Sequence, residues 1–221
     1  MEVARYIDHT LLKAVARQED IRKLCDEAKA HGFFSVCVNG ANVAFAASQV
    51  AGSGIKVAAV VGFPLGAMAK EVKVFEAAQA VKDGASEIDM VINIGALKSG
   101  DYDLVEQEIR EIKQAIGDNV LKVIIETCYL SDGEKAKACG LAVNAGADFV
   151  KTSTGFGTGG ATPDDVGLMK KAVGGQAQVK ASGGIKNLAD AQKYIEAGAT
   201  RLGTSSGVEI VQGLQAEEGK Y

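Results

Sequence analysis

Asp83-Gly84-Ala85-Ser86-Glu87-Ile88-Asp89-Met90-Val91 joins the end of one helix to the start of a strand. Glycine can adopt the positive φ of a helix C-terminus, and the short apolar run after it suits a strand covered on both faces. The same phrase returns at His31-Gly32-Phe33-Phe34, Ala145-Gly146-Ala147-Asp148 and Ala197-Gly198-Ala199-Thr200. Intervals of roughly 50 to 60 residues each hold about two strand–helix units at ordinary element and loop lengths.

Between these points the periodicity alternates in kind. Ile21, Leu24, Cys25 and Ala28, and again Val105, Ile109, Ile112 and Ile116, follow the spacing of one helical face. Val57–Val61 and Leu121–Ile125 are near-continuous apolar runs. Ser131-Asp132-Gly133-Glu134 reads as a capping box, and Thr162-Pro163 as a cap followed by proline at the first helical position. Eight strands are expected: Tyr6–Asp8, Ser35–Val38, Val57–Val61, Glu87–Val91, Leu121–Ile125, Phe149–Lys151, Gln178–Ala181 and Arg201–Gly203. Strands alternating evenly with helices predict an α/β fold, a closed (β/α)8 TIM barrel formed by residues 1–221 as one domain. A doubly wound open sheet is disfavoured because no Gly-x-Gly-x-x-Gly turn follows the first strand.

With 221 residues, 47% of them hydrophobic, the chain can bury a sizeable core. Its net charge of −4 is spread over interleaved acidic and basic residues, which argues against a nucleic-acid surface. Gly32 to Ile55, the longest uncharged run, is broken by asparagine, glutamine and glycine, so no membrane span is expected. The N-terminus lacks the basic start and apolar core of a signal peptide, which implies a cytoplasmic protein. Cys25, Cys37, Cys128 and Cys139 lack metal-ligand spacing and read as reduced thiols, Cys37 and Cys128 being the two nearest a pocket. His9 and His31 have no partners at metal-ligand spacing; neither metal nor cofactor is expected.

Lys151 and Lys180 stand in or at the end of apolar strand runs. A lysine there can snorkel outward, or it can be used. Burial and a second nearby cation both disfavour the ammonium form, so two lysines in one pocket could leave one a neutral, nucleophilic amine. Asp89, between Ile88 and Met90, would be penalised unless paired with one of them, and the pair would make a proton relay. Other polar residues gather at strand ends, where barrel active sites lie: Asp8 with Thr10, Asn39, Asn93, Glu126 with Thr127, Thr152 with Ser153, Ser182, and Thr204 with Ser205. Ser182-Gly183-Gly184 and Gly203-Thr204-Ser205-Ser206-Gly207 follow the seventh and eighth strands, where barrels commonly hold phosphate. The glycine-rich loop Thr154–Gly160 either wraps the same ligand or is mobile.

Tyr6-Ile7-Asp8-His9-Thr10-Leu11-Leu12, Glu87-Ile88-Asp89-Met90-Val91, Phe149-Val150-Lys151-Thr152-Ser153-Thr154-Gly155 and Val179-Lys180-Ala181-Ser182-Gly183-Gly184-Ile185 together resemble the deoxyribose-phosphate aldolase family, over nearly the whole chain. The resemblance implies a metal-independent class I aldolase acting on 2-deoxy-D-ribose 5-phosphate. It makes Lys151 the Schiff-base lysine, Lys180 the group lowering its pKa and Asp89 a proton relay through water. It places Gly155, Gly183, Gly184, Gly203, Ser205 and Ser206 at the phosphate, with Asp8, Thr10 and Thr154 in the substrate site. Some relatives have lysine where this chain has Phe156. The resemblance also implies an auxiliary catalytic Tyr221 and a homodimer. A transaldolase-type or isomerase barrel and a catalytically silent binding barrel are the competing readings.

Overall fold

The computed structural model describes residues 3–216. Among them β1 (Ile7–Leu11), β2 (Ser35–Asn39), β3 (Lys56–Val61), β4 (Glu87–Val91), β5 (Val120–Ile124), β6 (Phe149–Lys151), β7 (Gln178–Ser182) and β8 (Arg201–Thr204) pair in parallel, each with its neighbour in sequence. β8 returns to β1 and closes the barrel. Around it run α1 (Gln18–His31), α2 (Val43–Val50), α3 (Lys70–Lys82), α4 (Ile94–Lys98), α5 (Tyr102–Ile116), α6 (Asp132–Asn144), α7 (Pro163–Ala172), α8 (Leu188–Glu196) and α9 (Gly207–Gln212). The (β/α)8 barrel expected from the sequence is the observed fold. No helix among the described residues is long and apolar enough to cross a membrane.

The local signals act as their chemistry requires. Gly32 ends α1 at φ 64°, and its N–H reaches back to Ala28 O. Ser131 and Glu134 form the reciprocal capping box of α6, and Thr162 caps α7 ahead of Pro163. One such cap is worth about 1 kcal/mol. Ile21, Leu24, Cys25 and Ala28, and Val105, Ile109, Ile112 and Ile116, are buried on the inner stripes of α1 and α5. Full burial of one such aliphatic side chain contributes about 1.5–3 kcal/mol.

β1 extends further than the sequence suggested, to Leu11 rather than Asp8. Asp8, His9 and Thr10 look like a polar strand end, but each is buried and the backbone stays in register with β2 through Leu11 opposite Val38.

Alternation along the strands separates two environments. Val36, Val38, Val57, Ala59, Ile88, Met90, Leu121, Val123, Val150, Val179 and Leu202 face outward into the main core beneath the helices. The lumen is asymmetric. On the β1–β3 side Leu12, Cys37, Ala58 and Val60 make a small apolar cluster, with Phe63 packed against it. Round the rest of the barrel the lumen is filled with charge.

Candidate active site

Strand periodicity places Glu87 and Asp89, two residues apart on β4, on the same inward face. Lys122 of β5, Lys151 of β6, Lys180 of β7, Arg201 of β8 and Asp8 of β1 complete a buried cluster. Arg201 lies 2.8 Å from Asp8 and 3.0 Å from Glu87, with its guanidinium carbon 3.4 Å from the centre of the Phe34 ring. Lys122 bridges Glu87 at 2.5 Å and Asp89 Oδ1 at 2.8 Å. Asp89 Oδ2 accepts from both Lys151 Nζ, at 2.7 Å, and Lys180 Nζ, at 2.8 Å. Lys180 also donates to Asp8 Oδ2, while Ser35 and Arg201 donate to Asp8 Oδ1.

An unpaired ion buried this deeply would cost several kcal/mol, so each member is held by more than one partner or by an excellent single contact. Differences in partner number separate the two lysines. Burial lowers the pKa of Lys151, the single carboxylate it touches opposes this incompletely, and the positive charge of Lys180 adds to the depression. Burial also acts against charge on Lys180, but Asp8 and Asp89 together outweigh it and raise its pKa. One amine is thus drawn toward neutrality beside another that stays an ammonium. Burial would favour protonated Asp89, yet Lys122, Lys151 and Lys180 outweigh it and hold the carboxyl well below the usual range.

Beyond the strand ends, Thr152, Ser153 and Thr154 are buried, and Ser182 Oγ donates to Ser153 O. Gly183 and Gly184 take φ of 84° and 83°. A Cβ on Gly160 would fall 2.4 Å from Gly183 O, so the Thr154–Gly160 loop lies directly on that turn. A Cβ on Gly203 would stand 3.0 Å from Lys180 Cε; glycine there makes room for the lysine. Ser205 is half-buried and Ser206 buried. Thr10 and Ser205 line one cavity of about 420 Å³ bounded by the segment after β1, by α1 through Leu24 and Glu27, by α9 through Val208, and by Phe156; Lys151, Lys180 and Asp89 do not line it. Phe156 meets Phe63 edge-on, with ring centres 5.3 Å apart. Asp8 sits lower, within the charge cluster, and Thr10 Oγ1 donates to its carbonyl. Gly155, at φ 86°, continues the turn from Thr154. Tyr221 lies outside the described residues.

Sequence reasoning did not single out Lys122, Glu87, Arg201 or Ser35. Lys122 carried a usable signal, since it interrupts an apolar strand as Asp89 does. Cys37 lies in the apolar side of the lumen, and Cys128 beneath the loop, with its Sγ 3.0 Å from a Cβ built on Gly157. His9 is buried and its Nε2 lies 2.7 Å from Glu27, while His31 closes α1 and stacks on Phe33.

Comparison with known proteins agrees with this architecture at both levels. Residues 2–213 match the family model described as DeoC/LacD family aldolase. A deoxyribose-phosphate aldolase of Carboxydothermus hydrogenoformans is 64% identical, over 98% of this chain and 97% of the relative. One from Thermococcus gammatolerans is 59% identical over 99% of each. Among solved structures, QR15, an aldolase, superposes with a TM-score of 0.92 at 45% identity, covering 95% of this chain and 94% of the other. A tetrameric deoxyribose phosphate aldolase from Aeropyrum pernix gives 0.87 at 34%, covering 95% and 89%. Identity at these levels over almost the full length, on a barrel whose lumen gathers three lysines around one aspartate, makes this chain a member of the DeoC/LacD family of aldolases.

Proposed function

We propose that this chain is a class I aldolase that reversibly cleaves 2-deoxy-D-ribose 5-phosphate to acetaldehyde and D-glyceraldehyde 3-phosphate. The observation that carries the reading is the convergence of Lys151 Nζ and Lys180 Nζ on the same oxygen of Asp89. Neutral Lys151 attacks the aldehyde carbon of the open-chain sugar. Loss of water from the carbinolamine gives a protonated imine. Removal of the C3 hydroxyl proton lets the C2–C3 bond break, its electrons passing to the imine to form an enamine while C3 becomes the aldehyde of the leaving triose. Protonation of the enamine and hydrolysis free acetaldehyde and the lysine. Asp89, ionised and shared between the two nitrogens, is suited to pass protons between them and a bound water.

The turns at Gly155, Gly183 and Gly184, with Gly203, Ser205 and Ser206, would hold the phosphate. α9 has only six residues, so amides and hydroxyls rather than a helix dipole would carry that binding. Phe156 contributes no charge there, and Tyr221 would serve as an auxiliary acid or base. No step needs a metal or cofactor. All strands of the described residues close into one sheet, which supports a single catalytic domain over 1–221. Four free thiols, three of them buried, support a cytoplasmic location. Val72 and Phe75, three residues apart on α3, are 53% and 72% exposed, which supports pairing of two copies. Light scattering should give the mass of a dimer, and a monomer at micromolar concentration would remove that part of the reading.

Borohydride reduction with acetaldehyde, followed by peptide mapping, tests the chemistry directly. One ethyl group, about 28 Da, is expected on Lys151 alone. An unmodified protein, or label scattered over surface lysines, would rule out an activated amine at this position.

A further inference from the structure

Glu126 is the one non-glycine residue among those described with a positive φ, 54°. The left-handed region is unfavourable for a side chain of this kind and persists only where surrounding contacts enforce it. The carboxylate is 2% exposed and accepts from Thr154 N–H, at 3.1 Å to one oxygen, and from the Thr154 hydroxyl. Thr154 Oγ1 in turn accepts from Phe156 N–H at 3.0 Å. A Cβ on Gly157 would come within 3.2 Å of Glu126 Cδ, so the loop folds down onto this carboxyl.

The far end of the loop is fixed independently. Ala161 N–H donates to Ser182 O at 3.0 Å and to Gly183 O at 3.1 Å. The loop between Lys151 and α7 is therefore held at one end by Glu126 and at the other by the Gly183 turn. Thr154 is only three residues beyond Lys151, so its anchor governs how far the amine stands from the backbone of Gly155 and Phe156.

From this we infer that Glu126 is a positioning residue that sets the span between the Schiff-base lysine and the amides receiving the substrate's anionic end. The inference rests on the phosphate placement proposed above and deepens it. Glu126 does not touch the phosphate itself; its oxygens are occupied by Thr154, which keeps a carboxylate close to an anion site without leaving its lone pairs facing the anion. Loss of the anchor would let Thr154 and Gly155 drift together, weakening the hold on phosphate more than the carbon–carbon chemistry.

The test compares cleavage of 2-deoxy-D-ribose 5-phosphate with that of unphosphorylated 2-deoxy-D-ribose. Glu126→Gln should lower the ratio of the two kcat/KM values at least tenfold, with the loss on the phosphorylated sugar appearing in KM more than in kcat. Thr154→Val, which keeps the Glu126 carboxylate but removes both hydroxyl bonds, the one to Glu126 and the one from Phe156 N–H, should move the ratio in the same direction, and Thr154→Ser should restore it. An equal loss on both sugars in Glu126→Gln, or an unchanged ratio in both Glu126→Gln and Thr154→Val, would overturn the positioning role. If Glu126→Gln fails to fold, the Thr154 pair decides by the same criterion. A wild-type enzyme that shows no preference for the phosphorylated sugar would instead refute the phosphate placement, which distinguishes the two failures.

Discussion

Lys151→Leu should leave the barrel folded and reduce cleavage by at least about a thousandfold, since a covalent route loses its nucleophile. Leucine suits the site sterically: Lys151 ends β6, is 3% exposed, and has a stem that already lies in the lumen. Asp89 keeps Lys122 and Lys180 as partners, so no carboxylate is stranded. Initial rates with circular dichroism on the same sample separate lost chemistry from lost structure. Turnover within tenfold of wild type would sink the Schiff-base assignment.

Lys180→Leu should have a broader effect. Removing its charge takes away a repulsion that depresses the Lys151 pKa while leaving Asp89 in contact with Lys151, so that pKa rises. Each unit of rise costs tenfold in neutral amine at a pH below both values. Activity near pH 7 should fall at least a hundredfold, and the acid limb of the kcat/KM profile should move to higher pH. Stability should fall as well. Because the folded pKa of Lys180 is raised, its stabilising contribution is fully present below the unfolded lysine value and fades only as pH rises through the folded one. At neutral pH the variant therefore loses all of it, and Asp8 and Asp89 each lose a cation, for about 3–5 kcal/mol. A urea titration checks this part. An unshifted pH profile would mean that Lys180 does not tune Lys151.

The sequence carried most of the outer architecture, because glycine caps, helix starts and strand lengths are local decisions. Strand ends were less legible. At β1 the polar run Asp8-His9-Thr10 resembles a terminus, and only the partners that bury it show that the strand continues. The site was readable where a charge broke an apolar pattern, as at Asp89, Lys151 and Lys180. Lys122 broke the Val120–Ile125 pattern in the same way, but which of its faces is inward depends on register across β4 and β5. Arg201 stands at a strand start, where a cation is ordinary, so the contacts with Asp8 and Glu87 that bury it could not be foreseen. Lys73 is a further case: it lies on a weakly amphipathic helix, yet is fully buried against Glu108 at 2.6 Å. Such pairs depend on which helices become neighbours.

The luminal cluster also has a parity. Lys122, Lys180 and Arg201 balance Asp8, Glu87 and Asp89 one for one, so a proton on Lys151 is a surplus charge within this array, with the buried Glu126 as the next carboxylate that feels it. The form with Lys151 unprotonated is the one competent to attack a carbonyl. Forming the iminium fixes one positive charge on the Lys151 nitrogen in a medium that screens it poorly, and collapse to the enamine passes that charge, as the C3 hydroxyl proton, to the base that accepts it. The interior loses the surplus only when that proton reaches solvent, so proton exit by way of Asp89 and water, rather than carbon–carbon cleavage itself, restores the count.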